Sequence, residues 1–324
     1  MPAPLISVCS FCYNRKEFIP DLISSILSQL TDECEFIIVD DGSTDGTDEI
    51  CKAEERIRYF WQENQGRPVA RNKCLELARG EYVIWVGSDD QLAPRIIAHY
   101  LNKIKNKPQC DIITGAILVS NARLQPLERR SAPLWVEQPD QLVPAMVFKD
   151  WISDGGTLVR RELYSIYGGY DPDFKVCQDY EWFSRIVGNA RICHTPADML
   201  LWRIHNSGRA GDKDLSPYES EVSARIIRRV GLKRACPDVG WGRLPDHLAE
   251  AAACLKLGMR FIELTDARRC KRLFSHAANL AKGTDLASTA HEFLVQALKI
   301  EQEVPSKPEV VALPTDPLER LIQN

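Results

Sequence analysis

Four short apolar runs, at residues 5–11, 35–39, 57–61 and 82–86, alternate with helix-spaced segments, and two of them end in clustered carboxylates. Between the first two runs, Phe18, Leu22, Ile26 and Leu30 fall on one face of a helix over residues 15–30. Thr44 is a candidate N-cap for a helix reaching about residue 55, and residues 68–79 form a third helical segment. Short runs that are mostly apolar, without regular alternation, need cover on both faces, and intervening helices supply it. The pattern therefore predicts an α/β fold with an open, mostly parallel sheet covered by helices. In such sheets ligands lie beyond the carboxyl ends of the strands. Asp40-Asp41-Gly42-Ser43-Thr44-Asp45-Gly46 and Gly87-Ser88-Asp89-Asp90 both fall there.

The pattern continues with strands at residues 111–119, 155–159 and 199–204 and a helix at residues 178–187. Residues 121–141, interrupted by Pro126, Pro133 and Pro139, read as a variable loop. Beyond about Asp212 only helical stripes remain: Leu248, Ala252, Leu255 and Met259; Cys270, Leu273, Phe274 and Ala277; Phe293, Leu294 and Ala297. A domain over residues 1–212 and a helical region over 213–324, ending in a Pro-punctuated tail, are expected. The 324 residues are enough for both.

A net charge of −4 disfavours general nucleic-acid binding. Eleven scattered cysteines read as core thiols rather than a disulfide framework. Cys9-x-x-Cys12 lies along a strand, where an odd separation points the two side chains to opposite faces. No apolar run approaches the ~18 residues a membrane helix needs, and the start lacks a signal-peptide pattern. A cytoplasmic location is expected. Familiar cofactor motifs fail: Gly240-Trp241-Gly242 breaks the dinucleotide fingerprint at its third glycine, and no phosphate-binding P-loop occurs. The run from Asp41 resembles a calcium loop, yet its twelfth position is Lys52, where a glutamate is required.

The remaining residues form an ordered set. Tyr13-Asn14-Arg15, Asp40-Asp41-Gly42, Ala70-Arg71-Asn72, Gly87-Ser88-Asp89-Asp90, Gly168-Gly169-Tyr170-Asp171, Gln178-Asp179-Tyr180-Glu181-Trp182 and Arg203-Ile204-His205-Asn206-Ser207 follow one another. Over roughly residues 5–210 this resembles the family 2 glycosyltransferases, inverting enzymes of GT-A fold. The resemblance implies a nucleotide-diphosphate-sugar donor, a divalent cation (Mn²⁺ or Mg²⁺) and a single carboxylate base, here Asp179. It also implies that Asp89 faces the ribose, that Asp90 meets the metal, and that His205 contacts metal or phosphate, with Arg209 assisting. The chemistry of a uracil-like base suits the donor set: Asp41 accepts its N–H, Tyr13 stacks on it and Arg71 donates to a carbonyl. Trp182 and Glu181 are further candidates for acceptor contacts. Two departures stand out, Gly87 where the family often carries an aspartate and Gln178 where it often carries a glutamate.

The expected function is transfer of a sugar from a UDP-sugar, or a related nucleotide-diphosphate sugar, to an acceptor hydroxyl in polysaccharide biosynthesis. Two alternatives share the pattern. One is a nucleotide-sugar-binding or scaffold protein without turnover. The other is a sugar nucleotidyltransferase, which would need a glycine-rich loop that residues 9–16 do not offer. The acceptor is a carbohydrate or lipid-linked glycan. Arg225, Arg228, Arg229, Lys233 and Arg234 are a candidate face for peripheral contact with an anionic membrane. The C-terminal helices are a candidate surface for a homo-oligomer.

Overall fold

The computed structural model describes residues 3–106, 109–205 and 214–303. Tertiary contacts divide the chain into two compact units, Met1–Leu142 with Asp150–Lys213, and Val143–Lys149 with Asp214–Asn324. A single cut at 212 misses the short segment Val143–Lys149, which joins the second unit.

The first unit opens with β1 (Ile6–Cys12), α1 (Ile19–Leu27), β2 (Cys34–Asp40), α2 (Thr47–Lys52), β3 (Ile57–Trp61), α3 (Arg67–Leu77) and β4 (Tyr82–Trp85). β3, β2, β1 and β4 lie side by side, and all three pairings are parallel. β1 and β2 are buried at nearly every position, as a sheet covered on both faces requires. The start of α2 differs from expectation: Gly46, not Thr44, holds its N-cap position. Cys9 and Cys12 are both buried in the core.

The order then runs β5 (Gln91–Leu92), α4 (Ile96–Asn106), β6 (Ile112–Ser120), β7 (Pro126–Ser131), a short 3₁₀ turn at Leu134–Glu137, α5 (Pro139–Phe148), β8 (Leu158–Arg160), α6 (Glu162–Tyr167), α7 (Gln178–Ile186) and β9 (Ile192–Arg203). The sheet continues from β4 through β8, β6 and β9 to β5, with β7 beside β6. This half is mixed: only β6–β9 is parallel, while β4–β8, β6–β8, β6–β7 and β5–β9 are antiparallel. The segment expected as a loop therefore folds back as the exposed edge strand β7. Its prolines sit at a strand start, before the 3₁₀ turn and at a helix start, where a missing N–H costs nothing.

One cysteine expectation is overturned. Cys110 and Cys193, 83 residues apart, are joined in a disulfide with a Cα–Cα distance of 5.9 Å, and the other nine cysteines are free. Cys110 lies just before β6 and Cys193 near the start of its parallel neighbour β9, and no sequence pattern announces the pair.

The second unit holds α8 (Ser216–Val230), α9 (Leu232–Ala235), α10 (Asp246–Glu263), α11 (Ala267–Leu280) and α12 (Asp285–Glu303). α10 and α11 approach closely at Gly258, where a Cβ would stand 2.3 Å from the Phe274 ring. Ser223 on α8 donates to the Val147 carbonyl at 2.7 Å, which ties in the segment from α5. Arg225 and Arg228 of the basic face both donate to Glu221, which also binds Arg269. Part of that face is therefore ion-paired within the unit. Among the described residues no helix is long and apolar enough to cross a membrane.

Candidate active site

β1 and β2 deliver their carboxyl ends to adjacent loops that hydrogen-bond to each other. Asn14 N–H donates to Ser43 Oγ at 2.9 Å, and Thr44 N–H donates to Asn14 Oδ1 at 2.8 Å. The Arg15 and Lys16 N–H groups reach Thr47 Oγ1 and Asp45 Oδ2. Asn14, at φ 52, makes the turn. Tyr13 is left 38% exposed at the exit of β1, an open ring beside these loops.

Asp41 is buried and accepts three protein donors, Gln62 Nε2 at 2.7 Å, Gln65 N–H at 2.9 Å and Gly66 N–H at 2.8 Å. It therefore closes the loop leading into α3, and a base N–H would share its oxygens with these donors. Asp40 is also committed, accepting from Ser43 N–H and Tyr59 OH.

Asp89 and Asp90 leave β4 together. The Arg203 N–H, at the end of β9, donates to Asp90 Oδ1 at 2.9 Å. His205 Nε2 lies 3.2 Å from Asp89 Oδ2, and Arg15 Nε lies 3.9 Å from the same oxygen. The structure thus brings together Asp89, Asp90 and His205, and adds Arg15, which the sequence displays in a motif but gives no role. A lone cation beside two loop carboxylates carries no sequence signal of its own. Gly87 faces the pair so closely that a Cβ would stand 2.5 Å from Asp90 Oδ2 and 3.1 Å from Asp89 Oδ1.

Asp90 is pushed up to about 8, first by burial and then by the charge of Asp89, while the Arg203 N–H and the charges of Arg203 and Arg67 oppose the rise. An unfolded aspartate titrates at about 3.9. The folded state thus holds a proton that the unfolded state gives up, so this contribution to stability is fully present below about pH 4 and is lost as pH rises through about 8. The thermal midpoint of protein free of divalent ions is expected to fall between pH 5 and 9, and Asp90→Asn is expected to flatten that fall. An unchanged slope in Asp90→Asn would assign the dependence to another group.

Carboxylate oxygens are donors of the kind Mn²⁺ and Mg²⁺ accept, and a cation would relieve the repulsion by Asp89 that adds to the effect of burial on Asp90. Among the described residues no group of three His, Cys, Asp or Glu side chains is arranged to hold a metal. The donors gathered here are the carboxylates of Asp89 and Asp90 and, beside Asp89, the imidazole of His205.

Asp179 stands second in α7. The capping position belongs to Cys177, at φ 55 with no side-chain cap bond, so Asp179 is not the N-cap that its place near a helix start would suggest. Asp179 Oδ1 accepts the Tyr180 N–H at 2.9 Å. Tyr170 lies near: its hydroxyl is pushed up chiefly by burial, with Arg71 opposing and the charge of Asp179 adding to the rise.

Two expected contacts are corrected. Trp182 is fully buried, stacked on Tyr164 at 4.1 Å and donating to the Gly168 carbonyl, so it is core rather than a sugar platform. Glu181 is buried and pairs with Arg185, whose guanidinium also holds the Tyr167 and Gly169 carbonyls. Arg71, expected to donate to a base carbonyl, is buried on α3, ion-paired with Asp154, and donates to Tyr170 OH at 2.9 Å. Arg209 lies outside the described residues. Asp154 carries no sequence signal of its own, because one carboxylate before Gly155-Gly156 reads as a turn.

Residues 7–165 match the model of glycosyl transferase family 2. TuaG of Bacillus subtilis, a glycosyltransferase named for teichuronic acid biosynthesis, is 47% identical over 93 residues, which are 27% of this chain and 37% of TuaG. An uncharacterized glycosyltransferase of Rickettsia felis is 24% identical over 316 residues, 93% of this chain and 48% of that protein. The chain thus spans about half or less of these relatives. Among solved structures, Staphylococcus aureus TarS 1–349 in complex with UDP superposes with a TM-score of 0.57 at 16% identity, covering 94% of each chain. TarS 1–349 is also known with UDP-GlcNAc, at a TM-score of 0.56 and 15% identity, covering 92% of this chain and 91% of that one. The mannosyltransferase PcManGT of Pyrobaculum calidifontis, in complex with GDP-Man and Mn²⁺, gives a TM-score of 0.50 at 18% identity, covering 92% of this chain and 87% of that one. These likenesses show the fold, a GT-A-type α/β sheet.

Proposed function

Residues 7–165 belong to glycosyl transferase family 2, and on that footing we propose that the protein is a metal-dependent inverting glycosyltransferase using a UDP-sugar to extend a polysaccharide or lipid-linked glycan. The carrying observation is the junction of β4 and β9, where Asp89, Asp90, Arg203 and His205 meet beside Arg15. Two neighbours of this fold hold UDP or UDP-GlcNAc, and a third holds GDP-Man with Mn²⁺. Tyr13 is exposed to stack on the base, and Asp41 supplies the acceptor for its N–H. Asp89 faces the ribose. Asp90 and His205 would hold Mn²⁺ or Mg²⁺, which when bound neutralises charge on the departing diphosphate.

Asp179 takes the proton of the acceptor hydroxyl as that oxygen attacks the anomeric carbon from the face opposite the leaving UDP. One carboxylate suffices, because the departing diphosphate needs no protonation. A glycoside hydrolase, by contrast, spends a second carboxylic acid on its leaving group. Teichuronic acid biosynthesis in the name of TuaG agrees with a polysaccharide product. Arg229, Lys233 and Arg234, with the ion-paired Arg225 and Arg228, are the face proposed for peripheral membrane contact at a lipid-linked acceptor.

The test is calorimetry of UDP binding with Mn²⁺ and with EDTA. Binding is expected only with the cation, since the charge of Asp89 otherwise repels the diphosphate and a protonated Asp90 offers it nothing in return. Asp90→Ala is expected to remove tight binding and the metal dependence together. Equal UDP affinity in both buffers would overturn the assignment of the site. Turnover of a nucleotide-sugar set separates an enzyme from a protein that only binds the donor.

A further inference from the structure

We infer that Asp21, in the first turn of α1, is a positioning residue for the diphosphate end of the donor: through Arg203 it fixes the strand end that holds Asp90 and carries His205. The inference rests on the donor reading above. Asp21 Oδ2 accepts from Arg203 Nη2 at 2.5 Å, and Arg203 Nη1 donates to the Ala122 carbonyl at 3.2 Å. The Arg203 side chain is only 5% exposed, whereas that of Asp21 is 46% exposed. At the N-cap of α1, three residues earlier, Phe18 packs against both functional members of the strand end. Its ring centroid lies 5.0 Å from the Arg203 guanidinium carbon and 4.4 Å from the His205 ring. Phe18 and Asp21, three residues apart, thus present one helix face to Arg203 and His205.

The β9 ladder explains why this grip matters. The β6–β9 register ends at Ser120↔Arg203, and the Ile204 N–H makes one more bond to the Ser120 carbonyl. His205 follows and is held by side chains, Phe18 on its face and Asp89 at Nε2. Arg203 spends its backbone N–H on Asp90 and its guanidinium on Asp21. Without the Asp21 carboxylate, a largely buried guanidinium loses its paired anion and is drawn toward water. The same movement shifts the N–H that orients Asp90 and the imidazole beside Asp89. Because Asp21 is half open to solvent, its removal lets water in at the surface and leaves the sheet intact.

The experiment compares UDP with UMP as probes, by calorimetry in Mn²⁺, alongside the thermal midpoint. Asp21→Ala is expected to weaken Mn²⁺-dependent UDP binding about tenfold, with UMP binding and the midpoint nearly unchanged, because only the diphosphate end is disturbed. Asp21→Asn, which keeps an acceptor but no charge, is expected to fall between, and Asp21→Glu to recover most of the affinity. Unchanged UDP affinity in Asp21→Ala overturns the inference. So do equal losses for UDP and UMP with a lowered midpoint, the mark of a merely structural residue. A wild-type protein that binds no UDP in Mn²⁺ overturns the donor reading itself, and the inference falls with it.

Discussion

Asp179→Asn is expected to lower sugar transfer by about 10²–10⁴, the usual worth of a general base, while UDP and Mn²⁺ affinity and the thermal midpoint stay near wild type. The structure removes the main competing role for this carboxylate. A helix N-cap accepts the N–H two or three residues on, and its loss costs about 1 kcal/mol. Here Cys177 holds the capping position, and Asp179 accepts the adjacent Tyr180 N–H rather than one two or three residues on. The sharp turn at Cys177, at φ 55, is a costly conformation for a non-glycine residue, of the kind that persists where the surrounding structure fixes it. Several bonds fix the loop just before it. Asn72 clamps Tyr170 through both its N–H and its carbonyl, and Arg185 holds the Tyr167 and Gly169 carbonyls. Glu181 is the anchor of Arg185, so Glu181→Gln is expected to lower the thermal midpoint and to reduce transfer less than Asp179→Asn does. UDP release from the nucleotide sugar that the wild type turns over, at saturating donor and acceptor, is the measurement. Near-normal release by Asp179→Asn would sink the mechanism.

The parallel half of the sheet was legible because its strands are mostly apolar and its helices keep a period near 3.6, signals confined to neighbouring residues. The mixed half was not. The edge strand β7, Pro126-Leu-Glu-Arg-Arg-Ser131, is exposed at every position, so it carries no alternation of apolar and polar residues for a sequence reading to find. The same division runs through the site. Asp89 and Asp90 stand at the end of an apolar strand and declare themselves. The groups that orient them come from far along the chain: Arg203 reaches Asp90 across 113 residues and Asp21 across 182. Trp182 misled for a related reason. An aromatic residue near a helix start looks alike whether it faces a crevice or the core, and only Tyr164 and the Gly168 carbonyl decide it.

Asp154→Ala is expected to destabilise the protein by about 3–5 kcal/mol, the cost of breaking a buried ion pair by removing one partner. In a domain of this size that lowers the midpoint by on the order of 10 °C. The Arg71 guanidinium is 3.9 Å from the Tyr170 ring centroid, 4.6 Å from that of Trp85 and 5.6 Å from that of Phe11. Aromatic faces recover about 2 kcal/mol for a desolvated cation, which is too little to replace a carboxylate. Both partners are nearly sealed from water, at 4% and 8% side-chain exposure, so solvent does not substitute. A loss worth less than about 2 °C would show that the pair contributes little. Replacing both partners by apolar residues of similar volume is often neutral, so Arg71→Met with Asp154→Leu is expected to regain most of the lost midpoint. That double variant also decides what Arg71 does for the donor. If Arg71 only braces Tyr170 and the loop ahead of Asp179, restoring stability restores UDP affinity. If its guanidinium donates to the base carbonyl, the repacked protein is stable and still binds UDP weakly. Calorimetry on the double variant, read beside its thermal midpoint, separates a brace from a contact.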